Sequence, residues 1–320
     1  MRTGNKDQNL EPAGAEVVAL HRARSSHLRL AARALGASAD HLLFVGPAFA
    51  LVLAIVVFPL IYTVGASLFT WNLGQAQGFV GADNYAGLLS DPNVWLALRV
   101  TFEMTALAVG FEFLLGVTLA LLVNRQLPFL LKSVLRTGLL IPMFTAPVVV
   151  GSMFRMLLNP QFGAFQFLVG QRGLAPTSTD PFALLSIVAA DVWQWTPFMF
   201  LIFLAALQAV PQDILEAAQV DGATAWQQAI HVLLPQISNA IIIALLLRFM
   251  DALKIFDIIY VLTQGGPGRS TQNATYLIYQ VGLQDFYTGE AAALACILLV
   301  ILSVLVTIFI GLAHRRYKLL

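Results

Sequence analysis

Six long apolar runs set the limits on what this chain can fold into. They lie at about residues 42–68, 100–123, 134–157, 182–210, 239–262 and 291–313. Each is about as long as the roughly 20 residues that a helix needs to cross a bilayer. With 58% hydrophobic and 11% charged residues, the composition excludes an ordinary soluble domain. The sequence therefore predicts an all-α integral membrane protein with about six transmembrane helices.

The N-terminal segment differs from the rest because it is polar and basic. Arg22, Arg24, Arg29 and Arg33 lie in its second half. Residues 15–35 fit an amphipathic helix on an anionic membrane surface and fit a partly disordered tail equally well. We expect two parts, a basic cytoplasmic N-terminal tail at 1–40 and a transmembrane domain at 41–320.

The basic residues near the ends of the apolar runs predict the orientation, because Lys and Arg are enriched on the cytoplasmic side. If all six runs cross, one side carries the tail arginines together with Arg125, Lys132, Arg136, Arg315, Arg316 and Lys318. The opposite side carries only Arg99, Arg172 and Arg269. Both termini are therefore expected in the cytoplasm, together with the segment that joins the fourth and fifth runs.

That joining segment, at 211–235, is mixed in character. Pro211, Asp213 and Glu216 favour the start of a helix, and Gly222 favours a turn. Pro235 is expected to start the next apolar run. The pattern predicts a helical hairpin with a glycine-containing turn. The residues alone leave open whether the hairpin is a connector or an interaction surface.

The spacing within this segment resembles the loop signature of permease subunits of ABC importers. Glu216-Ala217-Ala218 is followed by Gly222, by Val232 where the family more often has isoleucine, and by Leu234-Pro235. Asp221, which gives the sequence Asp-Gly-Ala, resembles the pattern found in the carbohydrate, maltose-type branch of this binding-protein-dependent family. Three outer segments also resemble the family, so that the resemblance extends from Leu42 to the C-terminus: Asp83-Asn84-Tyr85, 159–163 and 263–268.

In that family the hairpin is the coupling helix, which docks on a cytoplasmic ATPase. The resemblance gives this role to Glu216, Ala217, Ala218, Asp221, Gly222, Leu234 and Pro235. It implies that the chain forms half of a sugar pathway in a bacterial or archaeal cytoplasmic membrane. The implied partners are a second permease subunit, two copies of an ABC ATPase and an extracytoplasmic sugar-binding protein, besides the sugar and membrane lipid. Because ATP and Mg²⁺ would bind to the ATPase, we expect this chain to be no enzyme, with no cofactor, metal or nucleic-acid partner.

The fifth apolar run carries charges at three-residue steps, at Arg248, Asp251, Lys254 and Asp257. Neighbours in the series can pair along a helix. The four side chains have a net charge of zero, which lowers the cost of burying them in the membrane. Because the step drifts backwards by about 60° on a helix, all four cannot face one cavity. One interpretation is a self-neutralised helix that packs against a partner; the other is a polar sugar pathway. The resemblance places substrate contacts at Arg248, Asp251, Ala252 and Ile255.

The fourth apolar run is interrupted by polar and aromatic residues between 191 and 198. Pro197 lacks a backbone donor, which predicts a kink with exposed carbonyls. Four residues recur at steps of three or four and so share a helix face, and the resemblance makes them substrate contacts: Asp191, Gln194, Trp195 and Phe198. Alternatively, Trp193 and Trp195 belong to the aromatic belt at the membrane surface.

Charged residues in the second run have no assigned role. Glu103 and Glu112 lie nine residues apart and therefore on opposite helix faces. We expect at least one of them to face protein rather than lipid.

Two other classes of protein fit the sequence less well. A secondary transporter would use the charged fifth run as an ion or proton relay, but it predicts an inverted repeat that is not evident. It would also leave the 211–235 signature unexplained. A membrane enzyme needs a catalytic cluster at membrane depth, whereas the histidines lie outside the interiors of the runs, at His21, His27, His41, His231 and His314. The single cysteine, Cys296, excludes a disulfide framework.

Overall fold

The computed structural model describes residues 45–72, 75–124, 128–169 and 175–317. The predicted tail at 1–40 lies outside these ranges, as do Arg125, Arg172 and Lys318 from the orientation argument. The chain divides into two units, Met1–Tyr62 and Thr63–Leu320. The described residues of the first unit, 45–62, belong to an apolar helix, α1 (Val45–Ala66), whose last residues are counted with the second unit. It contains a π-helical stretch at Leu53–Val57.

Helices make up most of the second unit. They are α2 (Asp83–Ser90), α3 (Pro92–Asn124), α4 (Phe129–Leu140), α5 (Pro147–Leu157), α6 (Ala164–Val169), α7 (Phe182–Gln208), α8 (Gln212–Val220), α9 (Ala225–Gln236), α10 (Ser238–Ala252), α11 (Asp257–Leu262), α12 (Ala274–Tyr279) and α13 (Thr288–Tyr317). Short 3₁₀ turns occupy Pro142–Phe144 and Pro176–Ser178. π-Helical stretches lie within α9 at Gln228–Leu233 and directly after α12 at Gln280–Gln284.

Four of the described helices are long and apolar enough to cross a membrane, namely α1, α3, α7 and α13. Two bent pairs meet the same criterion together. Ser133–Phe144 meets α5 at 98°, and α9 meets α10 at 71°. Counting each pair as one span gives up to six spans, which confirms the predicted all-α membrane fold.

The third and fifth apolar runs are broken helices, which the hydropathy pattern did not show. In the third run, Pro142 and Pro147 each begin a new helical segment because proline is tolerated in a first turn but not in a helix interior. In the fifth run, α10 ends at Ala252 and α11 begins only at Asp257. Pro235 does not start this run; it lies in the last turn of α9, before the bend.

Pro197 does not break the helix, because α7 continues without interruption from Phe182 to Gln208, while a kink within it stays a prediction. Proline removes one backbone donor, and a helix of 27 residues keeps its remaining bonds on both sides. Pro197 is itself buried, so packing holds the helix together at that point. Burial outweighs the local preference here.

A two-stranded hairpin, which the sequence analysis did not predict, precedes α2. Strand β1 (Phe69–Asn72) pairs antiparallel with β2 (Gln75–Phe79), with a register shift between Thr70 and Trp71. Asn84 Nδ2 donates to the Ser67 and Phe69 carbonyls at 2.8 and 3.1 Å. These bonds attach the hairpin to α2 and give Asn84 a structural role.

The core of the second unit forms where α3 packs on α7. Gly116 permits this close approach, because a Cβ at that position would lie 2.6 Å from Met199 Cβ. Nearby, the Phe113 and Phe203 rings meet edge to face at 5.8 Å. Buried Leu233 belongs to the same core. The second helix of the 211–235 hairpin is therefore anchored to the α3–α7 pair.

This packing predicts opposite effects for one substitution at two positions on α3. We expect Gly116→Ala to lower the free energy of unfolding by about 1–3 kcal/mol, the usual cost of overpacking. Gly110 has nothing within 4 Å of an added Cβ. Gly110→Ala is thus expected to be neutral, or stabilising by up to about 1 kcal/mol. Thermal melting in detergent checks this, and equal melting temperatures would contradict the close α3–α7 contact.

Candidate functional site

Three buried charged side chains and one half-exposed partner form a group, which we name the charge cluster: Glu112, Asp191, Arg248 and Asp251. Arg248 Nε donates to Glu112 Oε2 at 2.7 Å, and Nη2 donates to Glu112 Oε1 at 2.9 Å. Nη2 also donates to Asp191 Oδ2, and Nη1 donates to Asp251 Oδ2 at 3.0 Å. The pairing of Arg248 with Asp251 along one helix was predicted, but the other two partners were not.

Three helices supply the charge cluster. Glu112 lies on α3, Asp191 lies on α7, and Arg248 and Asp251 lie on α10. The Arg248 and Glu112 side chains are 1% and 0% exposed, whereas that of Asp251 is 51% exposed. A buried charge is tolerated only with close partners, because desolvation costs several kcal/mol per ion. The cluster therefore ties the three helices together at one level.

Aromatic side chains cover the charge cluster on one side. The Arg248 guanidinium carbon lies 5.1 Å from the centroid of the Trp195 ring, within cation–π distance. Trp195 in turn meets Phe198 edge to face at 6.3 Å. Trp195 is thus held by its contact with the guanidinium, which the aromatic-belt interpretation did not anticipate. Trp193 points elsewhere and packs against Phe154 at 6.1 Å.

Beside the charge cluster lies a cavity of about 130 Å³, which we name the polar cavity. Five of the eight predicted pathway residues line it: Asp191, Gln194, Trp195, Asp251 and Ile255. The remaining wall consists of Pro147, Lys254, Phe256, Asp257 and Ile258. Phe198, Arg248 and Ala252 are not among the lining residues, and Ala252 is buried. The structure brings the predicted residues of the fourth and fifth runs together, while their roles in transport stay predictions.

The break after α10 decides which charges reach the polar cavity. Asp251, Lys254 and Asp257 line it together, whereas Arg248 lies behind its wall. The angular drift that separates these residues on a continuous helix does not apply, because the helix ends at Ala252. Lys254 and Ile255 lie on the connecting segment, where the backbone is free of helical spacing.

Gln194, which lines the polar cavity, has one side-chain atom without a partner in the described part of the chain. Its Nε2 donates to the Thr145 carbonyl at 2.7 Å, in the turn between α4 and α5. Its Oε1 is buried and has no hydrogen-bond partner among the described residues. Since an unpaired buried acceptor is unfavourable, this oxygen suits a ligand hydroxyl.

Glu112 is the member of the charge cluster to which sequence reasoning assigned no role. The prediction that Glu103 and Glu112 face opposite ways is confirmed, since Glu103 is exposed and pairs with Arg99 at 2.7 Å. Glu112 is instead buried against Arg248. A signal was available, because an acid deep in one span and a base deep in another are natural partners.

The 211–235 segment forms the predicted hairpin of α8, a turn and α9. Gly222 adopts φ +76°, a conformation that favours glycine. The Asp221 and Ala223 amides donate to the Ala217 and Ala218 carbonyls, both at 3.0 Å, and close the end of α8. Thr224 and Gln227 form a reciprocal capping box that starts α9.

The hairpin has one attached face and one exposed face. Leu215 and Leu234 pack against the core that includes Leu233. On the other side, Val220 and Trp226 are 87% and 72% exposed. Of the seven predicted coupling residues, Ala218 and Leu234 are half-buried and five are exposed: Glu216, Ala217, Asp221, Gly222 and Pro235. Large exposed apolar side chains beside a rigid turn are typical of a protein–protein contact.

Two features of the segment between α11 and α12 have structural roles. In the segment at 263–268, Gln264, Gly265 and Gly268 have positive φ, and α11 ends directly before it, as the glycine pattern predicted. Asn273, whose sequence context matches a glycosylation signal, is buried and caps α12 by accepting from the Tyr276 amide. Its side chain is therefore occupied within the fold.

Membrane-length helices, a small polar cavity between α5, α7, α10 and α11, and an exposed helical hairpin are features that fit a membrane transport subunit. Comparison with known families gives the identity. The sequence matches the family described as "Binding-protein-dependent transport system inner membrane component" over residues 112–319, and the chain belongs to this family of ABC permeases. It is thus a multi-pass inner-membrane protein, and the secondary-transporter interpretation gains no support.

Curated relatives agree over nearly the whole chain. The trehalose transport system permease protein SugA of Mycobacterium tuberculosis is 39% identical over 272 residues, which cover 84% of this chain and 87% of that one. The trehalose/maltose transport system permease protein MalF of Thermococcus litoralis is 35% identical over 278 residues, which cover 85% and 94%.

A solved structure shows the same fold. It is described as a bacterial alginate ABC transporter in complex with an alginate pentasaccharide-bound periplasmic protein. The TM-score is 0.77 at 23% identity, covering 88% of this chain and 96% of that chain. At this identity the likeness establishes the fold alone.

The charge cluster predicts that replacing Arg248 changes the stability strongly, whereas replacing Lys254, a cation outside the cluster, changes it little. Arg248→Met leaves Glu112 and Asp191 buried without their cation, which we expect to destabilise the fold by about 3–5 kcal/mol. Lys254→Met, at an exposed position, is the matched control and is expected to change stability by less than about 0.5 kcal/mol. Thermal melting in detergent compares the two, and similar melting temperatures would contradict the structural role of Arg248.

Proposed function

We propose that this chain is one of two permease subunits of an ATP-driven, binding-protein-dependent sugar importer. It forms half of the translocation pathway and couples that pathway to a cytoplasmic ATPase. Family membership and the names of the relatives, which include trehalose and maltose systems, support the sugar assignment. The aromatic, carboxylate and amide groups of the polar cavity support it chemically, because paired polar groups bind hydroxyls and rings stack on sugar faces.

One observation carries this proposal: a single stretch of chain connects the exposed hairpin to the polar cavity. Helix α9 is the second helix of the hairpin, and the chain bends by 71° after it and continues as α10. Helix α10 has 15 residues, or about 22 Å, and ends at Ala252 beside the cavity wall. A displacement of the hairpin is therefore transmitted along α10 to Arg248 and Asp251, without passing through a flexible loop.

The proposed partners follow from the two exposed features. Two ATPase subunits, which bind ATP and Mg²⁺, would hold this hairpin and its counterpart on a second permease. The polar cavity of about 130 Å³ is smaller than the roughly 300–1,000 Å³ of small-molecule sites, so a second permease would complete it. A sugar-binding protein would deliver the solute from the opposite side, and both termini of this chain would lie on the ATPase side.

Transport in this scheme needs no covalent chemistry in the chain. When ATP draws the ATPases together, the hairpins approach each other and the helices attached to them change their tilt. The pathway then opens to the binding protein, and hydrolysis returns it to the inward-facing state. The conformational change is driven by the different affinities of the ATPases for the two states.

The coupling assignment predicts loss of the ATPase from hairpin variants. We expect Trp226→Ala and Gly222→Val to abolish its copurification, the first by removing an apolar anchor and the second by straining the turn. Gly222→Asn, which tolerates positive φ, should retain it. The measurement is affinity purification in mild detergent with mass spectrometry. Recovery of the ATPase with every variant would refute the coupling role, and Phe79→Ala, at an exposed site on β2, controls for folding.

The pathway assignment predicts different effects for two tryptophans of α7. Trp195→Ala removes a ring from the wall of the polar cavity and should lower ATP-dependent sugar uptake into proteoliposomes about tenfold or more. Trp193→Ala, two residues away and outside the cavity wall, should leave uptake near the original rate. Equal loss in both variants would favour an aromatic-belt role instead.

A further inference from the structure

The charges around the polar cavity are unbalanced. Its wall contains Asp191, Asp251 and Asp257, and among the described lining residues Lys254 is the one cation. The wall therefore offers three carboxylates against one ammonium group. A wall of this composition favours uncharged solutes over anions, provided that no further cation acts on the cavity.

Arg248 is the cation that could reverse this preference, and its hydrogen-bonding groups are occupied. Its Nε and Nη2 bond Glu112 at 2.7 and 2.9 Å, Nη2 also bonds Asp191, and Nη1 bonds Asp251 at 3.0 Å. A guanidinium has five N–H donors, so these four bonds leave one. The side chain is 1% exposed, and the Trp195 ring lies over it.

Glu112 makes two of these four bonds without lining the polar cavity. It lies on α3, whereas Arg248 lies on α10. Its carboxylate therefore neutralises Arg248 from behind, on the side away from the solute. Glu112 is thus placed to change the charge that a solute experiences without touching the solute.

We propose that Glu112 determines the charge selectivity of the pathway: by neutralising Arg248 it makes this half of the cavity accept uncharged sugars and reject sugars that carry a carboxylate. The inference rests on the proposed sugar pathway and narrows its substrate class. Rejection arises from unpaired like charges, which is how binding sites exclude a close analogue of their ligand. Arg248 acts as a positioning residue that holds Asp251 and Trp195 at the cavity wall.

The test compares matched neutral and anionic sugars on the membrane complex. Glucose, maltose and trehalose are paired with analogues in which one C6 hydroxymethyl group is oxidised to a carboxylate. Dissociation constants are measured by saturation-transfer NMR on the intact permease–ATPase complex in nanodiscs. The binding protein is omitted, so the selectivity belongs to the membrane complex alone.

The original complex is expected to bind at least one neutral sugar about tenfold or more tightly than its carboxylate analogue. Glu112→Gln keeps the size and the hydrogen-bonding capacity but removes the charge, and it should reduce this preference about tenfold. Glu103→Gln is the matched control, since Glu103 lies on the same helix and pairs with an arginine outside the polar cavity. It should leave the preference unchanged.

Each remaining outcome decides the question. If the original complex prefers an anionic sugar, or if assembled Glu112→Gln retains the full preference, the inference is overturned while the proposed function stands. If no sugar of either kind binds, the sugar pathway itself is refuted. Should Glu112→Gln fail to assemble, the double variant Glu112→Gln/Arg248→Met removes both charges, so the preference must stay as in the original complex, and its loss would overturn the inference.

Discussion

The buried ion pairs of Arg248 are the interaction on which the arrangement of the polar cavity depends. A guanidinium that is 1% exposed is stable only where carboxylates meet it with good geometry, and Glu112 and Asp191 do so from two other helices. Apolar packing alone tolerates a helix that slides or rotates, whereas directional bonds to a single guanidinium do not. The charge cluster therefore fixes α10 against α3 and α7 close to the end of α10 at Ala252.

The end of α10 creates the polar cavity. Since the helix stops at Ala252, Lys254, Ile255 and Asp257 are presented by a non-helical segment and by the first turn of α11. At the other end, the bend at Ile237 joins α10 to the hairpin, whose second helix is anchored by Leu233. One chain segment thus joins the exposed hairpin to two members of the charge cluster and to part of the cavity wall. Such a connection is what coupling between a motor and a pathway requires.

Local patterns predicted some elements well and others poorly. The hairpin at 211–235 was predictable because Gly222, Asp213 and the flanking apolar runs act through neighbouring residues. Pro197 does not interrupt α7, which is buried around that position and continues as one helix. The strands at Phe69–Asn72 and Gln75–Phe79 carry no strong alternation and depend on Asn84 for their attachment. Glu112 was visible as a costly intramembrane acid, but its partner lies 136 residues away.

The sequence by itself determined that the chain is a helical membrane protein, that it carries the coupling signature of an ABC permease, and which residues of the fourth and fifth runs are polar. Hydropathy, turn chemistry and motif spacing are local properties, so they can be read along the chain. Only the tertiary structure decided that Arg248 is enclosed by Glu112 and Asp191, and that Asp251, Lys254 and Asp257 share one cavity. Those facts depend on how α3, α7 and α10 pack, because ion pairing depends on the distance between side chains in the folded structure and not on their separation in the sequence.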